Sequence, residues 1–287
     1  MEIRKVGVVG LGTMGAGIAQ VAVQAGFETV GREISDELAE RGRATIEHYL
    51  TRSVEKGRST QEERDAALDR LALTTDLGDL ADCDLVIEAV LEELDLKRDV
   101  FRELDRLIRP HAVLATNTSA ISVSDIAEAT ERPERVVGMH FFNPAPVLPL
   151  VEIVRARRSS DEAVRTAYDW AERVGKRPVS CNDTPGFIVN RILIPLLNDC
   201  VRVVDEADVT PEDMDKAMVN GAGWPMGPFA LIDLVGIDVH VHAAEALHSK
   251  LPDPRMAPPE RLVRMQEEGR LGRKTGRGFF EYGATVR

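Results

Sequence analysis

His140 and Glu152 are the two ionisable residues whose surroundings call for a chemical explanation. Both lie in "GMHFFNPAPVLPLVEIV", residues 138–154, which is otherwise almost wholly apolar. Histidine suits proton transfer because its unperturbed pKa lies near neutrality, and a carboxylate behind it would orient the ring and stabilise its cationic form. The three prolines between the two residues favour a turn that would bring them together. The alternative is a core histidine bonded to backbone and a glutamate exposed on an edge strand.

A glycine pattern near the N-terminus is typical of a dinucleotide-binding turn. The segment "KVGVVGLGTMGAGIAQVAVQAGFETVGRE" runs from a short β-rich stretch through Gly10, Gly12 and Gly15 into a helix of small residues. Gly10 permits a tight turn, Gly12 lets the backbone approach a pyrophosphate, and Gly15 lets the helix pack closely on the strand. The phosphates would rest on the helix N-terminus, whose N–H groups and dipole favour anions.

Glu33 indicates which dinucleotide to expect. It ends the next strand, where an acid accepts hydrogen bonds from the ribose hydroxyls and repels a 2′-phosphate. We therefore expect NAD. Arg32 beside it keeps NADP as the alternative, because a nearby arginine can bind that phosphate.

Further apolar runs indicate strands that helices cover on both faces: "LALTT", "DLVIEAV", "AVLATN", "RVVGMHFF" and "LVEIV". An amphipathic helix is predicted over Glu92–Leu107. Together these elements predict a doubly wound α/β sheet of the Rossmann type, whose ligand site lies beyond the carboxyl ends of its strands. Four polar residues fall at the ends of such runs: Glu88, Asn117, Ser119 and His140.

Residues 36–71 interrupt the alternation of strands and helices. One helix is predicted over Asp36–Lys56, and a capping box at Thr60 predicts another through Leu71, so we expect an inserted helical hairpin. The hairpin carries several basic residues that could bind an anion, although the sequence alone favours a solvated charged face. They are Arg52, Lys56 and Arg58.

The composition excludes several classes of partner. The 287 residues are 44% hydrophobic and 29% charged, which is ordinary for a globular protein of one large or two smaller domains. A net charge of −12 argues against nucleic acid and anionic membranes. No signal-peptide pattern or membrane-spanning run is present, and three cysteines without C-x-x-C spacing suggest neither disulfides nor a metal site. We expect a cytoplasmic protein that binds no metal.

From about Asp183 onward the patterns become helical. Helices are predicted over Ile188–Asp205, over Thr210–Asn220 and from Gly227 onward. The last of these is so apolar that it should pack either within its own domain or against a second subunit. The basic, glycine-rich "LGRKTGRGFFEY" is expected to fold over this domain.

Seven segments together resemble the 3-hydroxyacyl-CoA dehydrogenase family, and most of all its short bacterial 3-hydroxybutyryl-CoA members. They are "GLGTMGAGIAQ", "DLVIEAV", "ATNTSAIS", "GMHFFNPAPVLPLVEIV", "DTPGFIVNRIL", "PMGPFALIDLVGID" and "GRLGRKTGRGFFEYG". The resemblance implies a Rossmann-type NAD-binding domain over residues 1–184 and an all-helical substrate and dimerisation domain over 185–287. It also implies an active site in the cleft between them, an acyl-CoA substrate and a homodimer.

The resemblance also implies roles for single residues. His140 matches the family's general acid/base, and Glu152 matches the acid paired with it. Ser119 matches the serine that hydrogen-bonds the substrate oxygen. Asn190 matches the asparagine that holds the reacting carbonyl. Lys56 matches a CoA-contacting lysine. The cofactor-contacting positions are Gly10, Gly12, Thr13, Met14, Gly15, Glu33, Glu92, Lys97, Asn117 and Ser119.

This chain departs from the family pattern at two positions. Tyr49 stands where relatives can carry serine, which puts that CoA contact in doubt, and Glu33 stands where they commonly have aspartate.

The implied reaction interconverts an (S)-3-hydroxyacyl-CoA, expected to be 3-hydroxybutyryl-CoA, and the 3-oxoacyl-CoA. Alternatives remain open. A relative could act on a free hydroxy acid, as the gulonate-oxidising type does, or on an acyl-carrier protein. Another Rossmann dehydrogenase would use a lysine base. A non-catalytic relative, such as the crystallins, would keep only the fold.

Overall fold

The computed structural model describes residues 2–283, which form two compact units. The first unit ends at Phe187 and the second begins at Ile188. Among the described residues, no helix is both long enough and apolar enough to cross a membrane.

The first unit is built on one eight-stranded sheet of order β3-β2-β1-β4-β5-β6-β7-β8. All neighbouring strands pair in parallel except β6 and β7, which are antiparallel. The strands are β1 (Lys5–Val9), β2 (Glu28–Arg32), β3 (Leu71–Thr74), β4 (Leu85–Glu88), β5 (Val113–Thr116), β6 (Val136–Phe141), β7 (Leu150–Arg155) and β8 (Arg177–Asn182).

Helices cover both faces of this sheet. They are α1 (Thr13–Gln24), α2 (Asp36–Glu55), α3 (Gln61–Asp69), α4 (Leu94–Leu107), α5 (Val123–Ala127) and α6 (Asp161–Arg173). Along β4, Leu85 and Ile87 join one buried apolar cluster while Val86 joins another, as the two-residue period of a strand requires. Every residue of β4, β5 and β6 is buried. The predicted doubly wound α/β sheet is confirmed.

The inserted helical hairpin consists of α2 and α3. The Ser35 side chain accepts from the backbone N–H of Leu38 at the start of α2, and Thr60 forms the expected capping box with Glu63 at the start of α3. The prediction that the second helix continues through Leu71 is wrong, because α3 ends at Asp69 and Leu71 begins β3.

Three elements of the first unit were not indicated by the sequence patterns: α5, α6 and β8. Most of β8 is exposed and Pro178 lies within it, as an edge strand allows, so it lacks the apolar run that marks the buried strands. The helix predicted from Glu92 begins two residues later, at Leu94.

The second unit is helical among its described residues. It contains α7 (Val189–Ala207), α8 (Pro211–Ala222), α9 (Pro228–Val235), α10 (Ile237–Lys250) and α11 (Glu260–Glu267). The apolar α9 buries Phe229 and Ile232 in the core of this unit but leaves Leu234 and Val235 exposed. Packing within the domain therefore accounts for only part of its apolar surface.

The basic segment near the C-terminus folds over the second unit, as expected. Buried Asp233 accepts hydrogen bonds from the backbone N–H groups of Phe279 and Phe280 and from the Tyr282 hydroxyl, each at 3.0 Å. Both phenylalanines pack against the core of this unit.

A buried histidine holds a loop of the second unit in place. Asn198 donates through Nδ2 to the carbonyl oxygens of residues 255–257, so its Oδ1 must accept from His240 Nε2, 2.9 Å away. His240 is only 4% exposed. Its burial lowers its pKa to about 4.

We expect His240 to make the stability of the protein depend on pH. Below pH 6.5 the unfolded chain takes up a proton here, whereas the folded protein does so only near pH 4. The free energy of unfolding should therefore fall by about 2 kcal/mol between pH 7 and pH 5. Denaturant titrations followed by tryptophan fluorescence, to which Trp224 of the second unit contributes, would measure it. His240→Gln, which keeps a donor to Asn198, should remove that part of the dependence; an unchanged pH dependence would contradict the assignment.

Candidate active site

The carboxyl ends of the central strands bring the predicted polar residues to one edge of the sheet. Glu88 at the end of β4 pairs with Val9 of β1 and Thr116 of β5, and Thr116 pairs with Gly138 of β6. Parallel strands end at the same edge, so the glycine turn after β1 and His140 near the end of β6 lie along it.

The glycine turn has the geometry that a dinucleotide requires. Gly10 has a φ of +88°, which favours glycine. A Cβ at Gly15 would lie 1.7 Å from the carbonyl oxygen of Gly10, so only glycine lets α1 pack this closely. A Cβ at Gly12 would meet no atom within 4 Å, so the space beside that backbone is open. The turn therefore fits a pyrophosphate held at the N-terminus of α1.

Glu33 ties the end of β2 to this turn. Its Oε1 accepts from the backbone N–H of Leu11 at 2.6 Å, and its Oε2 accepts from that of Ile34 at 3.1 Å. The carboxylate is thus fixed beside the glycine turn, where a ribose would lie. Arg32 instead donates through Nε to the carbonyl oxygen of Thr75 at 3.3 Å. This arrangement favours NAD over NADP.

A buried ionic network lies beyond β4, and no sequence pattern indicated which of its residues contact one another. Lys97 is 1% exposed, and its Nζ lies 2.6 Å from Glu88 Oε1 and 3.3 Å from Glu92 Oε2. Glu88 also accepts from the Thr116 hydroxyl at 2.8 Å. Two carboxylates around one ammonium leave a net negative charge at the strand ends.

Glu92 connects this network to the loop that carries Ser119. Its Oε1 accepts from the Thr118 hydroxyl and from the backbone N–H groups of Ser119 and Ala120. Burial raises the pKa of Glu92, but Lys97 and these hydrogen bonds outweigh burial and leave that pKa below its usual value. The ionised carboxylate therefore fixes the backbone at Ser119.

Asn117 fixes β5 against the end of β6. Its Oδ1 accepts from the backbone N–H of Phe141 at 2.9 Å, one residue beyond His140. Among the other predicted cofactor residues, Thr13 begins α1 and lines the cavity described below, whereas Met14 packs against the apolar core.

His140 and Glu152 face each other across β6 and β7. They are directly paired residues in the antiparallel register, and His140 Nδ1 lies 2.6 Å from Glu152 Oε2. Both side chains are buried. An ionised carboxylate can only accept, so Nδ1 carries a hydrogen, and in the neutral imidazole Nε2 keeps its lone pair. The rings of Phe142 and Phe187 lie 4.5 Å and 5.7 Å from the imidazole and limit its contact with water.

A buried lysine holds the loop between these two strands. Lys176 donates through Nζ to the carbonyl oxygens of Ala145 at 2.5 Å and Leu148 at 3.0 Å. It is 8% exposed, and burial lowers its pKa. Lys176 is thus a link to residues 142–149 that no sequence pattern revealed.

That loop closes a cavity of about 980 Å³ whose other walls are α1 and α2. Gly12 and Glu33 lie at one part of the wall and Tyr49 and Lys56 at another. Four basic residues line the cavity, and none of them forms an ion pair with any residue in the range 2–283. They are Arg41, Arg52, Lys56 and Arg58. All four side chains are exposed, as on the solvated charged face that the sequence favours.

Asn190 belongs to the second unit. It lies in the first turn of α7 and is partly buried. The residues that the structure brings together within the first unit are therefore the glycine turn, Glu33, the Glu92 network and the His140–Glu152 pair.

Two known protein-family domains together match almost the whole chain. Residues 5–184 match the family described as 3-hydroxyacyl-CoA dehydrogenase, NAD binding domain, and residues 186–282 match 3-hydroxyacyl-CoA dehydrogenase, C-terminal domain.

The alignments with individual relatives span nearly the full length of this chain and of each relative. A 3-hydroxybutyryl-CoA dehydrogenase of Mycobacterium tuberculosis is 48% identical over 98% of this chain and 99% of the relative. The crystal structure of M. tuberculosis FadB2 aligns with a TM-score of 0.96 at 47% identity, covering 99% of this chain and 100% of that one. The (S)-3-hydroxybutyryl-CoA dehydrogenase PaaH1 of Ralstonia eutropha aligns with a TM-score of 0.94 at 39% identity, over 99% and 100%.

Gly12→Ala and Gly15→Ala should separate binding from folding. An alanine methyl at 12 meets no protein atom, so the melting temperature should stay unchanged while NADH binding weakens about tenfold or more. At position 15 the methyl collides with the Gly10 carbonyl, and we expect a loss of about 3 kcal/mol of stability. Thermal melts and NADH fluorescence titrations would test both. Equal stability losses, or unweakened binding in Gly12→Ala, would contradict this interpretation of the turn.

Proposed function

The chain belongs to the 3-hydroxyacyl-CoA dehydrogenase family, and from this premise we propose that it is an NAD-dependent oxidoreductase that interconverts (S)-3-hydroxybutyryl-CoA and 3-oxobutyryl-CoA. The observation that carries the proposal is the buried His140–Glu152 pair, 2.6 Å apart, on the sheet edge that also carries the dinucleotide turn. A proton acceptor and a hydride acceptor are the two groups that oxidation of a secondary alcohol requires.

His140 acts as the general base in the oxidative direction. Its Nε2 accepts the proton of the C3 hydroxyl, and Glu152 stabilises the imidazolium through Nδ1. NAD, when bound, supplies the hydride acceptor. In the reductive direction the protonated His140 returns the proton to the C3 oxygen. We assign the orientation of that oxygen to the Ser119 hydroxyl and to Asn190.

We propose that the dinucleotide is held by the glycine turn, by Glu33 and by Glu92. The glycine turn and the N-terminus of α1 bind the pyrophosphate, and Glu33 accepts from the ribose. Glu92 accepts hydrogen bonds from the Ser119 loop and keeps 31% of its side chain exposed, so we assign it a direct contact with the cofactor. Lys97 is enclosed by Glu88 and Glu92, and its contribution passes through Glu92.

The CoA handle is proposed to bind in the cavity between α1, α2 and the 142–149 loop. CoA carries several phosphate charges, and the four basic residues without ion pairs would neutralise them. An acyl-carrier protein remains the alternative handle.

The three cysteines are free thiols, which supports our proposal that the enzyme works in the reducing cytoplasm.

His140→Gln should abolish most turnover without affecting cofactor binding. General acid–base catalysis typically contributes about 10² to 10⁴ in rate, so kcat should fall by that factor. Oxidation of NADH with 3-oxobutyryl-CoA would be followed by absorbance, and the Kd for NADH by fluorescence. Glu152→Gln, which keeps a hydrogen-bond partner for Nδ1 but loses the charge, should show a smaller loss. Near-normal turnover in His140→Gln would overturn the mechanism.

We also propose that the second unit forms a homodimer. Three large apolar side chains at the junction of α9 and α10 are about half exposed: Leu234 (49%), Val235 (44%) and Val239 (50%). Such a patch is typical of a protein interface.

Leu234→Glu should weaken the dimer, because it would place a charge in an apolar contact. Sedimentation velocity would measure the fraction of monomer. Leu107→Glu, which changes an apolar residue of similar exposure in the first unit, should leave the mass unchanged. A Leu234→Glu protein that stays fully dimeric would exclude this patch as the interface.

A further inference from the structure

Glu88, at the end of β4, is a completely buried carboxylate that the proposed reaction does not use. Its Oε1 accepts from Lys97 Nζ at 2.6 Å and from the backbone N–H of Val90 at 2.7 Å, and its Oε2 accepts from the Thr116 hydroxyl at 2.8 Å. All three partners are donors, and a carboxyl group that only accepts is ionised. Apolar side chains of similar volume are often at least as stabilising as a buried ion pair, so this charge is a candidate for a role other than stability.

The network around Lys97 carries one unit of negative charge. Lys97 Nζ lies 2.6 Å from Glu88 and 3.3 Å from Glu92, and its remaining partner is the carbonyl oxygen of Val90 at 3.5 Å. One ammonium group therefore faces two carboxylates. Glu88 and Lys97 have almost no contact with solvent, so water screens their charges less than it would screen charges at the surface. The uncompensated charge therefore acts on groups bound nearby.

This charge lies between the dinucleotide turn and the loop that carries Ser119. The segment directly after Glu88 packs against the turn, where a Cβ at Gly10 would lie 2.9 Å from the carbonyl oxygen of Ala89. On the other side, Glu92 accepts from the backbone N–H of Ser119 at 2.9 Å. The group that exchanges a hydride with C3 must touch that carbon, whose oxygen we assign to Ser119. We therefore expect the nicotinamide to bind beside the network.

The two oxidation states of the cofactor differ in the charge of this ring. The nicotinamide is a cation in NAD⁺ and is neutral in NADH, whereas the rest of the molecule is the same in both. A negative charge near the ring attracts the cation and leaves the affinity for the neutral ring nearly unchanged.

We propose that Glu88 sets the preference of the enzyme for NAD⁺ over NADH, through the negative charge that it leaves on the Lys97 network. The inference rests on the proposed function, which supplies NAD as the cofactor and Ser119 as the neighbour of the reacting carbon. Glu88 acts through Lys97 and Glu92 and does not touch the cofactor, so it is a positioning residue for charge and not a catalytic residue.

The network has opposite effects on the two directions of the reaction. In the reductive direction C3 gains a hydride, its oxygen gains a proton from His140, and the nicotinamide is left as a cation. The negative network stabilises that cation, so it favours reduction among the bound species. The equilibrium between the free reactants stays the same, because the protein is unchanged at the end of the cycle.

The test compares the binding of three nucleotides to Glu88→Gln without any substrate. Glutamine keeps the size of the side chain, and it can accept from Lys97 and donate to the hydroxyl oxygen of Thr116, but it removes the charge. Calorimetry would give the Kd for NAD⁺, for NADH and for ADP-ribose, which lacks the nicotinamide. We expect the Kd for NAD⁺ to rise about tenfold and the other two constants to stay the same.

Asp84→Asn is the matched control, because it removes a buried carboxylate charge at the other end of the same strand. Asp84 directly precedes β4, is 7% exposed, and accepts from the backbone N–H groups of Arg4 and Lys5 and from Arg109. Four residues at about 3.3 Å each place it about 13 Å from Glu88. This variant should leave all three dissociation constants unchanged.

Two results would overturn the role of Glu88. An unchanged Kd for NAD⁺ in Glu88→Gln would show that the charge has no effect on the ring. Equal losses for NAD⁺, NADH and ADP-ribose would assign Glu88 a purely structural role.

Glu92→Gln provides a second test if Glu88→Gln does not fold. It removes the same charge from the more exposed end of the network. Because Glu92 is itself assigned to the cofactor, each Kd is divided by that for ADP-ribose. The ratio for NAD⁺ should rise about tenfold while the ratio for NADH stays the same, and two unchanged ratios would reject the inference.

An assay with 3-oxobutyryl-CoA and NADH separates failure of this inference from failure of the proposed function. Turnover by the unaltered enzyme together with an unchanged NAD⁺ preference in the variants would reject the inference alone. No turnover, together with the expected loss of NAD⁺ affinity in Glu88→Gln, would reject the proposed substrate and support the role of Glu88.

Discussion

The single antiparallel step in the sheet, between β6 and β7, is the constraint on which the site depends. The reversal sets His140 opposite Glu152, because a shift of one residue in register would turn one of the two side chains to the other face of the sheet. It also places the connecting loop, residues 142–149, against α1 and α2, where it forms the third wall of the cavity. At Gly17 of α1 a Cβ would lie 3.1 Å from both Ala145 and Pro146, so helix and loop are in close contact. One change of strand direction thus produces both the acid–base pair and the ligand-binding wall.

Much of this arrangement could be predicted from the sequence, because the signals are local. The spacing of Gly10, Gly12 and Gly15, between a strand and a helix, is typical of a dinucleotide turn, and buried strands appear as continuous apolar runs. The proximity of His140 and Glu152 followed from two strands joined by a proline-rich connection. The position of Glu33 beside the glycine turn follows from the same kind of signal, because it comes directly after a strand at a known distance from the glycines; its contact with a ribose stays a prediction.

The features that escaped prediction depend on contacts distant in sequence or on exposure. Lys97 and Lys176 have no pattern that tells a buried lysine from a solvated one, since their partners are carboxylates in one case and loop carbonyls in the other. The strand β8 has too few buried apolar residues to be recognised. The basic residues of the hairpin are exposed, as the sequence favours, but only the packed helices show that several of them line one cavity without ion pairs. Asn190 lies in the other compact unit, so its role stays a prediction.

The four cationic side chains of the cavity have a further consequence for the rate at which a polyanion reaches the protein. A chain with a net charge of −12 repels such a ligand at long range. At physiological ionic strength the screening length is about 8 Å, so repulsion by the distant acidic surface is largely screened. A ligand at the cavity mouth is still attracted by the nearby cationic side chains. The encounter is therefore governed by a local positive field within an overall negative one. Dilution of the salt would strengthen both fields at once, and the association rate would depend on ionic strength less steeply than for a uniformly charged surface.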